Sequence, residues 1–589
     1  MTASRRAVVV LAVFVVVAFG LPWGGAVPAA SAQTIQVTSA DPPSGEQGTL
    51  NLNVLIKGKG FKNGAKAKFY KTGTTDPAGV NVKSTQFVSS SQLVATIDIA
   101  DAAALALFDI EVRNADGRTG KGTELFSVTA KKIDPCTLPD PEPTLTTNIA
   151  YEPGFPGYFD GTFGSGGKVI GPRFTQTRYI SGGGTTAVDH ADRTIVVGYR
   201  DFPCTANQSG GELIATRYLP DGSADPEFGM NGFVAIAFGG GSGIGNSVAV
   251  QADNKIVIAG QAKPSKASAS LPVIIRLLEN GALDQTFDGD GVFWMTVFGN
   301  KTISTAVSVA LQPTATTEKI VAVGMAPNAG FSFVCRLTAN GALDGTFNGT
   351  GYIRRSTPGW LKAVAVQSFA ANDQRIVVAG YGVDALNHYL PTLLRYTDAG
   401  LPDASFGGGR GFVETSFHVE DGRSLGDHFR AVAVDSMNRL VAVGSMEYCL
   451  VAGDLSTAQY RVVLARYDLN GNPDTSFGLD GSGRVWAPQG TVGKDLANSV
   501  AVQDDARIVV VGHSDPLVAG VLWRFNPDGT VDSVFGNGGW VIDPIANGAV
   551  EVQLTGVALG PDGRIVCGGF VATAGSPLIH YTVLARFWQ

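Results

Sequence analysis

The feature that most constrains this chain is an arginine–aspartate spacing that returns throughout its length. In six copies an Asp follows an Arg eight residues later: Arg217–Asp225, Arg276–Asp284, Arg336–Asp344, Arg395–Asp403, Arg466–Asp474 and Arg524–Asp532. Between them lie "PDG", "ENG", "ANG", "DAG", "LNG" and "PDG", each three-residue loop ending in a glycine suited to the left-handed position of a hairpin. Such a loop sets residue i opposite i+8, so each Arg should face its Asp across two adjacent strands. A forked Arg–carboxylate pair held this way fixes geometry. A Phe follows every Asp by three residues, at 163, 228, 287, 347, 406, 477 and 535. The next residue is Gly164, Gly229, Asp288, Asn348, Gly407, Gly478 or Gly536, all types that tolerate positive φ.

Other segments keep the same beat. An apolar run ending in glycine appears seven times: "TIVVG", "KIVIAG", "KIVAVG", "RIVVAG", "RLVAVG", "RIVVVG" and "RIVCGG". Strand-like runs such as "NSVAVQ" and "KAVAVQ" precede it, and the Arg-bearing runs ("LIATRY", "VIIRLL", "VLARFW") follow it. A fourth strand is expected around the Phe motif. Four short strands repeated seven times predict an all-β chain with a seven-bladed β-propeller, and the frequent glycine (76 residues) suits its many turns. Arg586 has no chain left to supply its Asp, and Asp160 has no Arg before it. If residues 159–170 form the fourth strand of the last blade, Arg586 meets Asp160 and no sheet edge stays exposed. The pattern "AVAVQ…RIVVAG…LARY…DG…LDxSFG" resembles the delta-60 repeat of bacterial exported proteins over about 159–589. That resemblance implies a propeller and supplies no general catalytic residues.

Residues 1–32 read as a signal peptide. Arg5 and Arg6 precede an apolar core from Ala7 to Leu21, and Ala30-Ser31-Ala32 is an A-x-A cleavage signal. Secretion or a cell-envelope location follows, with no membrane insertion after cleavage. Residues 33–132 alternate apolar and polar at strand period in "LNLNVLIKGKGF", "QLVATIDI" and "LFDIEVRNADG". With "PPSG" at 42–45, "IKGKGF" at 56–61 and "SSSQLVATI" at 89–97, this segment resembles the IPT/TIG module, which implies an N-terminal immunoglobulin-like β-sandwich. Residues 133–158 form a Pro-rich linker.

A formal charge of −7 leaves no electrostatic footprint for nucleic acid. The second acid of "DGDG" is peculiar to one copy, so Asp284, Asp288 and Asp290 are only weak candidates for a calcium site. In a propeller the loops between strands two and three and those between blades share one face, the default binding surface. On that face His418, Glu420, Asp421, Asp427 and His428 have metal-ligand chemistry, set against the plainer reading of a solvated polar loop. His513 beside Asp515 and His388 beside Tyr389 are placed on long loops. Trp360, just before a first strand, serves either stacking or packing. Cys136 and Cys204 lie in loop-like sequence and offer a possible disulfide in an exported protein. Cys335 and Cys567 sit in apolar runs. No HExxH or P-loop is written anywhere, and no cofactor is expected. The reading is an exported, non-catalytic binding or adhesion protein whose loop face holds a protein or glycan. The alternatives are a metal-assisted propeller lyase or hydrolase, or an envelope scaffold.

Overall fold

The computed structural model describes residues 34–100, 102–129, 155–174, 185–201, 211–238, 242–264, 269–299, 303–356, 359–370, 373–385, 388–417, 426–449, 458–487, 494–515, 517–543, 545–574 and 579–589. The expected signal peptide and most of the expected linker lie outside them. The chain divides into two compact units, Met1–Leu138 and Pro139–Gln589. Among the described residues the regular elements are strands, apart from a 3₁₀ turn at Pro327–Ala329. No described helix is long and apolar enough to cross a membrane.

In the first unit, strict alternation turns one face of each strand inward. Gln92–Ile99 buries Leu93, Ala95, Ile97 and Ile99. These residues join Val54, Ile56, Phe69, Phe108, Ile110 and Phe126 in one core. That core is shared by two four-stranded sheets, one ordered Gln36–Asp41, Leu52–Lys59, Gln92–Ile99, Val80–Ser89 and the other Ser44–Glu46, Thr119–Thr129, Leu107–Arg113, Lys66–Lys71.

The second unit contains seven four-stranded antiparallel sheets among its described residues. Six are sequential, spanning 186–236, 243–294, 305–355, 361–414, 428–486 and 495–543. The seventh takes Ala549–Leu559, Ile565–Thr573 and Ile579–Phe587 from the C-terminal stretch and Lys168–Phe174 from far upstream. The first strand of each sheet contacts the first strand of the next, and Ala549–Leu559 contacts Thr186–Val188, so the order is cyclic. Hydrophobic clusters lie between successive sheets: Phe287, for example, packs with Ala322 and Phe333 of the following sheet.

The Phe motif is a turn, where the sequence suggests a strand. The Phe228 N–H bonds the Asp225 carbonyl, and the Gly232 N–H bonds the Phe228 carbonyl. The paired fourth strand, Phe233–Ile236, begins only after that turn. The reversal has a local cause: the residue after every Phe has positive φ, from 49° at Asp288 to 84° at Gly478. The seventh sheet behaves alike, with Phe159 bridging Phe587 and the paired strand running past residue 170 to Phe174.

The Arg and Asp of each copy meet with Nε to Oδ2 at 2.7–2.8 Å, and Arg586 reaches Asp160 in the same way. The other carboxylate oxygen accepts from a backbone N–H two residues on, and in five copies from the Ser or Thr hydroxyl there as well, as Thr286 does for Asp284. Each guanidinium lies over its own Phe ring at 4.4–4.9 Å. Its Nη1 often crosses to the hairpin turn of the next sheet, as from Arg336 to the Asp398 carbonyl at 2.6 Å. The residue after every Phe also donates its N–H to the next sheet, at 2.6–3.0 Å, including Gly164 to Asp221 and Gly536 to Pro156.

A second cation joins each Asp, and the sequence reading misses it. Arg193, Lys255, Lys319, Arg375, Arg439, Arg507 and Arg564 approach the seven carboxylates at 2.9–3.9 Å. Its signal is the basic residue at the head of the second strand, visible in "KIVIAG" and "RIVVAG".

All seven Phe rings are fully buried. Phe347→Ala is therefore expected to destabilise the protein by about 3–5 kcal/mol, read by chemical denaturation; an unchanged midpoint would refute the packing role. A chain ended at residue 580 loses Arg586 and most of the strand that pairs with Lys168–Phe174. It should not accumulate as a soluble protein with a cooperative melt.

Candidate functional site

A glycine positions the most chemically distinctive cluster. In six sheets the first strand carries a bulge of one extra residue: Asn246, Val307, Lys362, Arg430, Asn498 or Thr555. Opposite each bulge, on the second strand, stands Gly260, Gly324, Gly380, Gly444, Gly512 or Gly569, within or ending the apolar run. A Cβ at Gly380 would overlap the Trp360 carbonyl, and one at Gly444 the His428 carbonyl. Only glycine lets the first strand approach so closely.

The bulged side chains reach along the inner ring from sheet to sheet. Asn246 Nδ2 donates to the Ala306 carbonyl at 2.7 Å, and Asn498 Nδ2 to the Leu554 carbonyl at 2.8 Å. Arg430 Nη1 donates to Asn498 Oδ1 at 2.9 Å, and the Thr185 and Thr555 hydroxyls share a bond of 2.7 Å. Lys362 breaks the series. It is half-buried, and among the described residues its ammonium has no hydrogen bond and no carboxylate partner. Burial pushes its pKa down to about 8, and the neighbouring Arg430 guanidinium adds to the shift.

Around this pair of cations stand aromatic and imidazole rings. Tyr381 and Tyr389, diagonal neighbours on strands two and three of the same sheet, stack with centroids 4.8 Å apart. The Tyr381 ring meets His428 edge-on at 6.0 Å, and burial pushes its hydroxyl up to about 12. His428 Nδ1 donates to the Gly426 carbonyl at 2.6 Å, so Nε2 accepts from Arg430 Nε at 2.7 Å. Burial, then Arg430, pushes His428 down to about 3. His513 Nδ1 accepts from Asn498 Nδ2 at 3.2 Å, its Nε2 faces Asp515 at 3.5 Å, and burial with Arg430 lowers it to about 4.

His428 and His513 are thus brought into one neighbourhood, in a setting unlike the one expected, while Trp360 packs against the hydrophobic cluster of the third and fourth sheets. His513 is 4 % exposed within the strand Ile508–Ser514, which continues past Gly512 and leaves only a short connection before Ala519. His428 begins the strand His428–Val434. Both imidazoles are neutral near pH 7. His428 is hydrogen-bonded through both nitrogens, so a metal there would have to displace Arg430. Asp427 Oδ1 accepts from the Glu447 N–H at 3.0 Å, and His388 Nδ1 lies 3.0 Å from Asp384. His418, Glu420 and Asp421 lie outside the described residues, as do Cys136 and Cys204.

Asp284, Asp288 and Asp290 do not form a common cage. Asp284 gives one oxygen to Arg276 and the other to Thr286; Asp290 Oδ1 accepts from the Val292 N–H at 2.9 Å. Burial, then repulsion from Asp290, raises the Asp288 pKa. No group of three or more His, Cys, Asp or Glu suited to a metal ion occurs among the described residues. Cys335 and Cys567 are buried free thiols, and burial pushes Cys335 up to about 12. A cavity of ≈950 Å³ on the short-turn side is lined by Asp189, Asp505, Arg507 and Asp562 among others. Its carboxylates are largely neutralised from within, Asp189 by Arg193, Asp505 by Arg507 and Asp562 by Arg564.

The profile of the family described as "Domain of unknown function (DUF5122) beta-propeller" matches residues 251–287, 450–477 and 503–535. With the cyclic order of four-stranded sheets, it defines the second unit as a β-propeller in an all-β chain. No curated protein matches the chain. A protein of unknown function from Dyadobacter fermentans DSM 18053 is similar at 13 % identity, covering 71 % of this chain and 99 % of that one, with a TM-score of 0.34. An α-L-arabinofuranosidase from Fusarium graminearum is similar at 10 % identity, covering 72 % and 98 %, also with a TM-score of 0.34. A GH43_1 enzyme from Xanthomonas citri reaches 10 % identity over 47 % and 86 %, with a TM-score of 0.24. Likenesses this distant carry no chemistry over to this chain.

A depressed lysine pKa is a stability statement. Charged Lys362 destabilises the folded state below about 8, less between 8 and its ordinary 10.5, and not at all above that. Lys362→Met should therefore raise the melting temperature at pH 7, with the gain fading as pH approaches 10.5. A lower melting temperature at pH 7 would mean that the ammonium is paired.

Proposed function

We propose that this chain is an exported, non-catalytic binding or adhesion protein. In this reading residues 1–32 are a signal peptide, 33–132 an immunoglobulin-like module of the IPT/TIG kind, 133–158 a linker and 159–589 a seven-bladed propeller of the delta-60 type. The long-loop face of the propeller is presented to a protein or glycan.

One observation carries the proposal: among the described residues Lys362 has no carboxylate partner where the first strands of the fourth and fifth sheets meet, and half-buried Tyr381 stands on the neighbouring strand. A cation held against its own solvation preference, next to aromatic surface, suits ligand capture better than structure. The two described imidazoles nearby are neutral and already hydrogen-bonded, which suits them to hold Arg430 and Asn498 in place rather than to shuttle protons. The test is a glycan array and an extracellular-protein pull-down with the 33–589 form. Saturable binding is expected, with the bound ligand recovered chemically unchanged. Turnover of that ligand, or no binding on either platform, would defeat the reading.

A further inference from the structure

The seam where the ring closes holds a buried lysine against a buried carboxylate. Lys168 opens the strand Lys168–Phe174 that completes the seventh sheet, and Asp543 ends the strand Trp540–Asp543 of the sixth. At the head of the fourth strand the other sheets carry Phe233, Val292, Tyr352, Phe412, Arg484 and Trp540. Lys168 is 2 % exposed and Asp543 4 %. Lys168 Nζ lies 2.9 Å from each oxygen of Asp543, which sets it level with Cγ, and 4.4 Å from the centre of the Phe159 ring. Phe159, Val541, Ile545, Ala585 and Phe587 belong to one hydrophobic cluster between these two sheets. We propose that the two side chains condense after folding into an amide, a covalent cross-link between Lys168 Nζ and Asp543 Cγ.

Apolar surroundings penalise both charges and favour the neutral amine and acid that one proton transfer within the pair produces. Burial is the largest influence on the Lys168 ammonium, and it lowers the pKa. The proton passes from Nζ to Asp543 Oδ2, and the Nζ lone pair then bonds to Cγ. The tetrahedral centre carries negative charge on Oδ1 and positive charge on nitrogen. A second proton moves from nitrogen to Oδ2, the Cγ–Oδ2 bond breaks, and one water leaves. No oxidant, reductant or other reactant is consumed. The Ile545 N–H donates to Oδ1, the oxygen on which the negative charge develops. Ile545 itself holds φ at 62°, a costly conformation for a β-branched residue, and such strain gathers where local geometry serves a purpose. Packing keeps amine and carboxyl together, which gives the step the advantage of an intramolecular reaction. The bond ties the strand that closes the ring to the neighbouring sheet, so the seam no longer opens by loss of hydrogen bonds alone.

The experiment is intact mass and tryptic mapping of the folded 33–589 chain, unfolded just before digestion. The protein should weigh one water less than its sequence requires, about 18 Da. Trypsin should leave the bond after Lys168 uncut and release a branched peptide that joins Lys168 to Asp543. Lys168→Arg keeps the positive charge but lacks the reactive amine. It should show its full mass and no branched peptide, and melt at a lower temperature than the parent chain. A folded parent chain of full mass, cut normally after Lys168, would leave the pair a buried salt bridge and overturn the proposal. The same loss of water in Lys168→Arg would also overturn it. A branched peptide that joins Lys168 to a different carboxylate would overturn the assignment to Asp543.

Discussion

The propeller depends on one repeated side chain, the arginine of each third strand. Its Nε holds the carboxylate of its own hairpin, its π-face covers the Phe that fills the gap between sheets, and in most copies its Nη1 bonds the next sheet's turn. Intrasheet register and intersheet spacing are therefore set by one planar group. Two cations share each carboxylate, and Asp284, Asp344, Asp403 and Asp474 titrate below the usual range although burial opposes it, because Ser, Thr, Arg and Lys donors outweigh that burial. Such groups stabilise the fold at neutral pH and lose that contribution only as pH falls through their lowered pKa values. Against an apolar replacement their net stabilisation is modest; losing one partner alone is expensive, of the order of 3–5 kcal/mol. Their main effect is to exclude other registers.

The inner ring works by a different rule. A glycine on the second strand admits a bulge on the first, and the bulge turns one side chain toward its neighbour. The backbone device is common to six sheets, while the residue it carries varies among Asn, Val, Lys, Arg and Thr. Framework and chemistry are thereby separated: substitutions at the bulge alter what the ring presents without disturbing the ladder around it.

Much of the frame was legible because hairpin arithmetic is local. Eight residues with a glycine-ended loop place Arg217 opposite Asp225 whatever the rest of the chain does. The second cations went unread because they sit at the start of apolar runs, where a Lys or Arg looks like a strand boundary. The Phe motif was read as a strand because its φ reversal leaves no trace in hydrophobic pattern. The site was less legible still. A bulge adds one residue without breaking alternation visibly, so nothing in "GWLKAVAVQ" says that Lys362 meets Arg430. Likewise His513 looks like loop sequence, although cross-strand pairing with Gly520 keeps it in the ladder.

Asp160 and Arg586 are joined across 426 residues of chain. Closing so large a loop costs chain entropy, and the last contact cannot form until the final strand has been synthesised. Until then the stretch around Asp160 carries a single strand whose sheet does not yet exist. Completion of the ring is thus a timed event, late in the life of the nascent polypeptide. Whatever shields that waiting edge decides how much of the protein reaches its finished form.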